Sequence, residues 1–119
     1  MNHDIQRHHV AARYSDAAVF QGVVHLAGVV PEGTAPDIQG QTADVLAQVD
    51  ALLARCGSDK SRILRTQIYL ADIRDIGGMN EVWDAWVVPG HTPPRATVQA
   101  ALGDPAWLIE VVITAAQRA

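Results

Sequence analysis

Cysteine occurs once, at Cys56, so no disulfide can form within the chain, and a lone thiol fits a reducing compartment. Lysine also occurs once, at Lys60, and the eight arginines are scattered without a basic stripe. The formal net charge is -4. Binding to a phosphate backbone needs clustered Lys and Arg, so this balance speaks against a nucleic-acid partner. No apolar run approaches the roughly 20 residues of a spanning helix, which speaks against a membrane role. The polar, His-rich start, Met1 to Arg13, lacks the apolar stretch of a signal peptide, and the expected location is the cytoplasm. Charged residues are scarce at 18%, whereas apolar residues reach 49%. Part of the apolar surface is therefore expected to be covered by a partner. The 119 residues fit a single domain, 1–119, with residues 1–12 as a flexible start.

What is present is organised. Ala17 to Phe20, the pair Gln21-Gly22, and Val23 to Ala27 read as a β-hairpin around a two-residue turn. Gly28, Pro31, Gly33 and Pro36 then mark a loop. From about Asp37, Val45, Leu46, Val49, Leu52, Leu53 and Cys56 line one face of a helix that Gly57 stops. Leu64, Thr66, Ile68 and Leu70 alternate with Arg65, Gln67 and Tyr69, as in a strand with unlike faces. Gly77-Gly78 reads as the next loop, and Met79, Val82, Trp83 and Trp86 as a second helix ended by Pro89-Gly90.

Two strands close the chain. Ala96, Val98, Ala100 and Leu102 form one face of the first, opposite Arg95, Thr97 and Gln99. After Gly103-Asp104-Pro105, Trp107 to Ala116 is apolar on both faces apart from Glu110 and Thr114. A strand apolar on both sides must be buried on both. Two helices cover one side, so a second copy of the chain is expected on the other. The order ββαβαββ predicts an α+β domain with a mixed sheet and two helices on one face.

Glu110 is the odd residue in its strand, where an unpaired buried carboxylate would cost several kcal/mol. Either it is an edge-facing or ion-paired charge, or it sits in a cleft where it holds water and exchanges a proton. Arg95, aimed by Pro93 and Pro94, is suited to grip a carboxylate through two parallel hydrogen bonds, though an isolated Arg is ordinarily a surface residue. If the last two strands form a hairpin, Glu110 lies opposite Gln99 and shares a face with Thr97 and Arg95. Arg95 then stands about 13 Å away along the strand.

Other candidates are weaker. The histidines His8, His9, His25 and His91 have no metal-ligand spacing, and no metal or cofactor is expected. Cys56 reads as core, Ser58 and Ser61 as cap and turn residues, and Gly77-Gly78 lacks the pattern of a phosphate loop. Trp83 and Trp86 read as core or interface, with Trp86 a candidate pocket wall.

These pieces fall in a familiar order. Gly22, Gly28, Gln41-Thr42, Leu53 to Ser58, Tyr69 to Asp72, Met79-Asn80, Pro94 to Thr97 and Ile109 to Val111 resemble the Rid (reactive intermediate deaminase) family, also called YjgF or endoribonuclease L-PSP. The resemblance runs from about Tyr14 to Ala116. Trp83 to His91 resembles a subfamily outside RidA proper. It implies a chorismate mutase-like fold and a homotrimer with sites between subunits. By the same resemblance Arg95 clamps a substrate carboxylate, Glu110 positions water, and Tyr14, Gly28 and Asn80 line the pocket. Two positions depart from the RidA pattern: a pocket Ser is Ala27, and a pocket Cys is Thr97. The implied reaction is hydrolysis of small 2-imino acids to 2-keto acids and ammonia, which needs positioning and proton transfer more than a cofactor. The alternatives are a non-catalytic pocket for small carboxylates and, less in keeping with the acidic balance, ribonuclease activity.

Overall fold

The structure is a computed structural model that describes residues 4–119. Two successive residues with left-handed backbone, Gln21 (φ 49°) and Gly22 (φ 79°), join strands β2 (Ser15–Phe20) and β3 (Val23–Leu26). That conformation matches the right-handed twist of the paired strands, and the expected hairpin forms. Helix α1 (Ile38–Arg55) begins where the Asp37 carboxylate accepts a hydrogen bond from the Gly40 N–H at 2.8 Å. Gly57, at φ 77°, follows its end. Val45, Leu46, Val49 and Leu53 are buried along one face of α1, each contributing about 1.5–3 kcal/mol of apolar burial.

The sheet has six strands in the order β1-β2-β3-β6-β4-β5, where β1 is Gln6–Val10, β4 Ile63–Leu70, β5 Arg95–Gln99 and β6 Ile109–Ala116. Helix α2 (Ile76–Trp86) lies between β4 and β5 in the chain, and those two strands pair in parallel. A parallel pair needs such a crossover. Both helices lie on the side of the sheet to which Thr66, Ile68, Leu70, Ile109, Val111, Ile113 and Ala115 point, all of them buried. Glu110, Val112, Thr114, Gln67 and Tyr69 point the other way and are only partly buried. The expected α+β layering, with two helices on one face of a mixed sheet, is present.

Four expectations are corrected. The last two strands do not form a hairpin: β6 pairs with β3 and β4, and β5 pairs with the far edge of β4. The interior place goes to the strand whose both sides are apolar. Leu64 does not share the buried face of β4. The register shifts between Ile63 and Arg65, so Ile63 takes the core position and Leu64 is 50% exposed. Gly77-Gly78 is no loop but the first turn of α2. A methyl at Gly78 would lie 2.6 Å from Ile38 Cγ2, so only glycine lets α2 start against α1. The start expected to be flexible contains β1, paired antiparallel with β2; residues 1–3 of that start lie outside the described residues.

Cys56 is buried, and desolvation raises its thiol pKa above the ordinary value, partly offset by the charge of Arg55. That is a core thiol. No helix among the described residues is long and apolar enough to cross a membrane.

Candidate functional site

Arg95 opens β5, and Pro94 just before it accepts a 3.0 Å hydrogen bond from the Thr66 N–H, tying the entry of the strand to β4. The alternation of β5 turns Arg95 and Thr97 toward the helices, since Arg95 pairs with buried Thr66 and Thr97 with buried Ile68. There the Arg95 Nη1 donates to the Asn80 Oδ1 at 2.8 Å, and the guanidinium sits 5.2 Å from the centre of the Trp83 ring. Asn80 and Trp83 are three apart on α2 and so share a helix face. Thr97 Oγ1 is buried without a hydrogen-bond partner. Arg95 forms no ion pair among the described residues. A partly buried cation is held in place with its remaining donors unspent.

Glu110 lies on β6 beside Tyr69 of β4, on the face the helices leave open. Its carboxylate packs against the backbone of Gly28, where any Cβ would overlap Oε2. Gly28 is followed by Val29, whose backbone bridges Val111, and this holds the post-β3 segment against β6. Glu110, Tyr69, Val112 and the segment Ala100–Gly103 line a cavity of about 300 Å³. Gly28, Ala27 and Tyr14 line a second cleft of about 410 Å³, with His9, Asp16 and residues of α1. Tyr14 is 64% exposed.

The two halves do not meet within one chain. β4 stands between their strands, and Arg95 and Glu110 point to opposite faces. Arg95 pairs with Thr66 and Glu110 with Tyr69, three residues further along β4. With a rise of about 3.3 Å and a strand spacing of about 4.8 Å, their Cα atoms are roughly 14 Å apart. The shared face expected from a terminal hairpin is therefore absent. Asn80 and Thr97 gather at Arg95; Gly28 abuts Glu110, and Tyr14 shares the second cleft with Gly28.

Trp86 joins neither group. Its Nε1 donates to Asp50 Oδ2 at 3.0 Å, Lys60 Nζ lies 5.2 Å from its ring centre, and it packs on Trp83 at 5.4 Å between centroids. It pins α2 to α1. The tryptophan beside Arg95 is Trp83, missed in the sequence although its three-residue spacing from Asn80 signals a shared face. The His9–Asp16 pair carries no local signal, because it forms only where β1 pairs with β2. No group of three or more potential metal ligands occurs among the described residues.

A family model described as Endoribonuclease L-PSP matches residues 4–117, a span that includes Arg95 and Glu110. The chain belongs to this family. It is 49% identical over 105 residues to the RutC family protein YoaB of Escherichia coli, covering 88% of this chain and 91% of that protein. A crystal structure of NMB1025, a member of the YjgF protein family from Neisseria meningitidis, matches with a TM-score of 0.96 and 48% identity, covering 100% of this chain and 99% of that one. Reactive Intermediate Deaminase A, chloroplastic, from Arabidopsis thaliana is 34% identical over 94 residues, 74% of this chain and 50% of that longer protein. In this L-PSP family member, β5 with α2 positions Arg95, and β6 with the post-β3 segment positions Glu110.

Proposed function

We propose that this protein hydrolyses small 2-imino acids to 2-keto acids and ammonia, at sites closed between copies of the chain assembled as a homotrimer. The observation that carries the reading is the pre-aimed Arg95. Its guanidinium is fixed by Asn80 and Trp83 but has no acidic partner among the described residues, as a carboxylate receptor requires. The partly uncovered sheet face and the opposite orientation of Glu110 favour a second copy as the source of the other half. The naming of the Arabidopsis relative as a reactive intermediate deaminase agrees with this chemistry.

Arg95 binds the substrate carboxylate and so fixes the imine carbon. Glu110 of the adjacent copy orients a water and takes its proton as the oxygen attacks that carbon. The Thr97 hydroxyl, buried without a partner, is free to bond the substrate beside Arg95. An amino-acid oxidase supplies imines in a coupled assay, with ammonia and keto acid followed with and without this protein. Acceleration is expected for wild type and lost in Arg95→Ala with the oligomer intact; unchanged turnover in that variant sinks the assignment.

A second reading is a non-catalytic pocket for small carboxylates. Its support is that the Arg95 group is complete within one chain, whereas Glu110 is not beside it. Glu110→Gln separates the two: a binding protein keeps its affinity for a keto acid, and an enzyme loses rate.

A further inference from the structure

His9 has a backbone that its place in a strand does not explain. Among the described residues, two non-glycines have positive φ, Gln21 at 49° and His9 at 51°. The first belongs to the β2–β3 turn. His9 stands inside β1, flanked by the pairs His8–Ala17 and Val10–Ser15, so the register continues across it. A left-handed backbone costs about 1–2 kcal/mol for a residue with a Cβ. Such a conformation persists only where the surroundings hold it, often at functional sites. Here the hold is visible: His9 Nδ1 and Asp16 Oδ2 are 2.6 Å apart. With one nitrogen engaged by a carboxylate, Nε2 is left to exchange a proton with a ligand.

The pair also shares a cleft with the segment on which Glu110 packs. His9 and Asp16 line the 410 Å³ cleft together with Tyr14, Ala27 and Gly28. Gly28 in turn carries the Glu110 carboxylate against its backbone. The other ionisable groups lining the cleft are Tyr14 and Glu32, and α1 contributes only the uncharged Gln48, Ala51 and Leu52. His9 is thus the one basic side chain among the residues lining this cleft.

We propose that His9, oriented by Asp16, is the acid that protonates the departing nitrogen; this rests on the imine-hydrolysis reading. Water adds to the iminium carbon while Glu110 takes its proton, and the C=N π pair moves to nitrogen, leaving a neutral amine and a hydroxyl on one carbon. The imidazolium gives a proton to that amine. The C–N bond then breaks with its pair leaving on ammonia, the oxygen lone pair forms C=O, and the hydroxyl proton returns to the imidazole. Glu110 releases its proton to solvent, so water plus iminium yields ketone, ammonia and one proton.

The test compares wild type, His9→Gly, His9→Asn and Asp16→Asn in ammonia release from oxidase-generated imines, with kcat and KM measured across pH and the melting temperature recorded. Glycine and asparagine both accept the left-handed backbone, so the fold is kept, and His9→Gly is expected to melt no lower than wild type. Loss of a proton donor lowers kcat about 10²-fold with little change in KM, flattens the alkaline limb of the rate profile, and allows added imidazole to restore rate to His9→Gly. Asp16→Asn lowers kcat in the same direction by a smaller factor. Wild-type acceleration with an equally active His9→Gly overturns this proposal alone, and marks His9 as a strained edge residue. A wild type that does not accelerate ammonia release overturns both this proposal and the imine reading.

Discussion

The Glu110 carboxylate occupies the space in which a side chain at Gly28 would begin. Gly28→Ala must therefore push the carboxylate aside or shift the segment that follows β3. If Glu110 orients the attacking water, kcat falls by about 10²-fold, because misplacement by about 1 Å costs that much. The check is the coupled ammonia assay beside circular dichroism, which should report an intact fold. Normal kcat in a folded Gly28→Ala protein counts against the role of Glu110.

Asn80 holds Arg95 by a 2.8 Å hydrogen bond to its guanidinium. Removing the acceptor leaves the charge in place but frees its aim. Asn80→Ala is expected to raise KM for a 2-imino acid by about tenfold, in keeping with a charge-assisted bond of about 1.5–3 kcal/mol. Steady-state kinetics on a series of imine concentrations read this directly.

Glycine inside a helix normally costs stability, and replacement by alanine gains about 1 kcal/mol. Gly78 should behave in the opposite sense. Its added methyl would meet Ile38 Cγ2 at 2.6 Å, where α2 begins against α1. Gly78→Ala is expected to destabilise by about 1–3 kcal/mol through overpacking, seen as a lower urea midpoint at constant slope. Gly77 has open space around it, so Gly77→Ala is the control and should not lose stability.

Asp72 caps the short turn Ile73–Asp75, accepting from the Arg74 N–H, and its carboxylate also pairs with the Arg74 guanidinium at 2.7 Å. Side-chain hydrogen bonding from Arg74, then the backbone bond, lower its pKa from 3.8 to about 2. A depressed carboxylate contributes stability that is present above its unfolded pKa and lost as pH falls through the folded one. The window therefore runs from about 4 down to about 2. The pair is exposed, so the visible effect is on titration more than on global stability. Carboxyl NMR should find Asp72 titrating near 2 in wild type and shifted back toward 3.8 in Arg74→Ala.

Local pattern carried much of the architecture. The Gln21-Gly22 turn, the apolar stripe of α1 with its Gly57 stop, and the Met79–Trp86 spacing of α2 were legible because each depends on residues close in sequence. Arg95 and Glu110 stood out for a related reason: a charge inside an apolar strand, or aimed by two prolines, is odd in any fold.

Long-range pairing was not legible. A strand apolar on both faces says that it is interior, and β6 is, but nothing in Trp107 to Ala116 names β3 and β4 as its partners. That choice decides which face Glu110 takes relative to Arg95. Leu64 failed for want of the irregularity beside Ile63, and the bond from the Trp86 indole to Asp50 was not legible because helical periodicity does not reveal what a neighbouring helix offers. Residue order determined most of the elements, the Gln21-Gly22 turn and the chemical character of Arg95 and Glu110, since these arise from backbone preference and side-chain type. Only the tertiary structure decided that β4 separates the two charges, because strand order is settled by how all the faces are buried together.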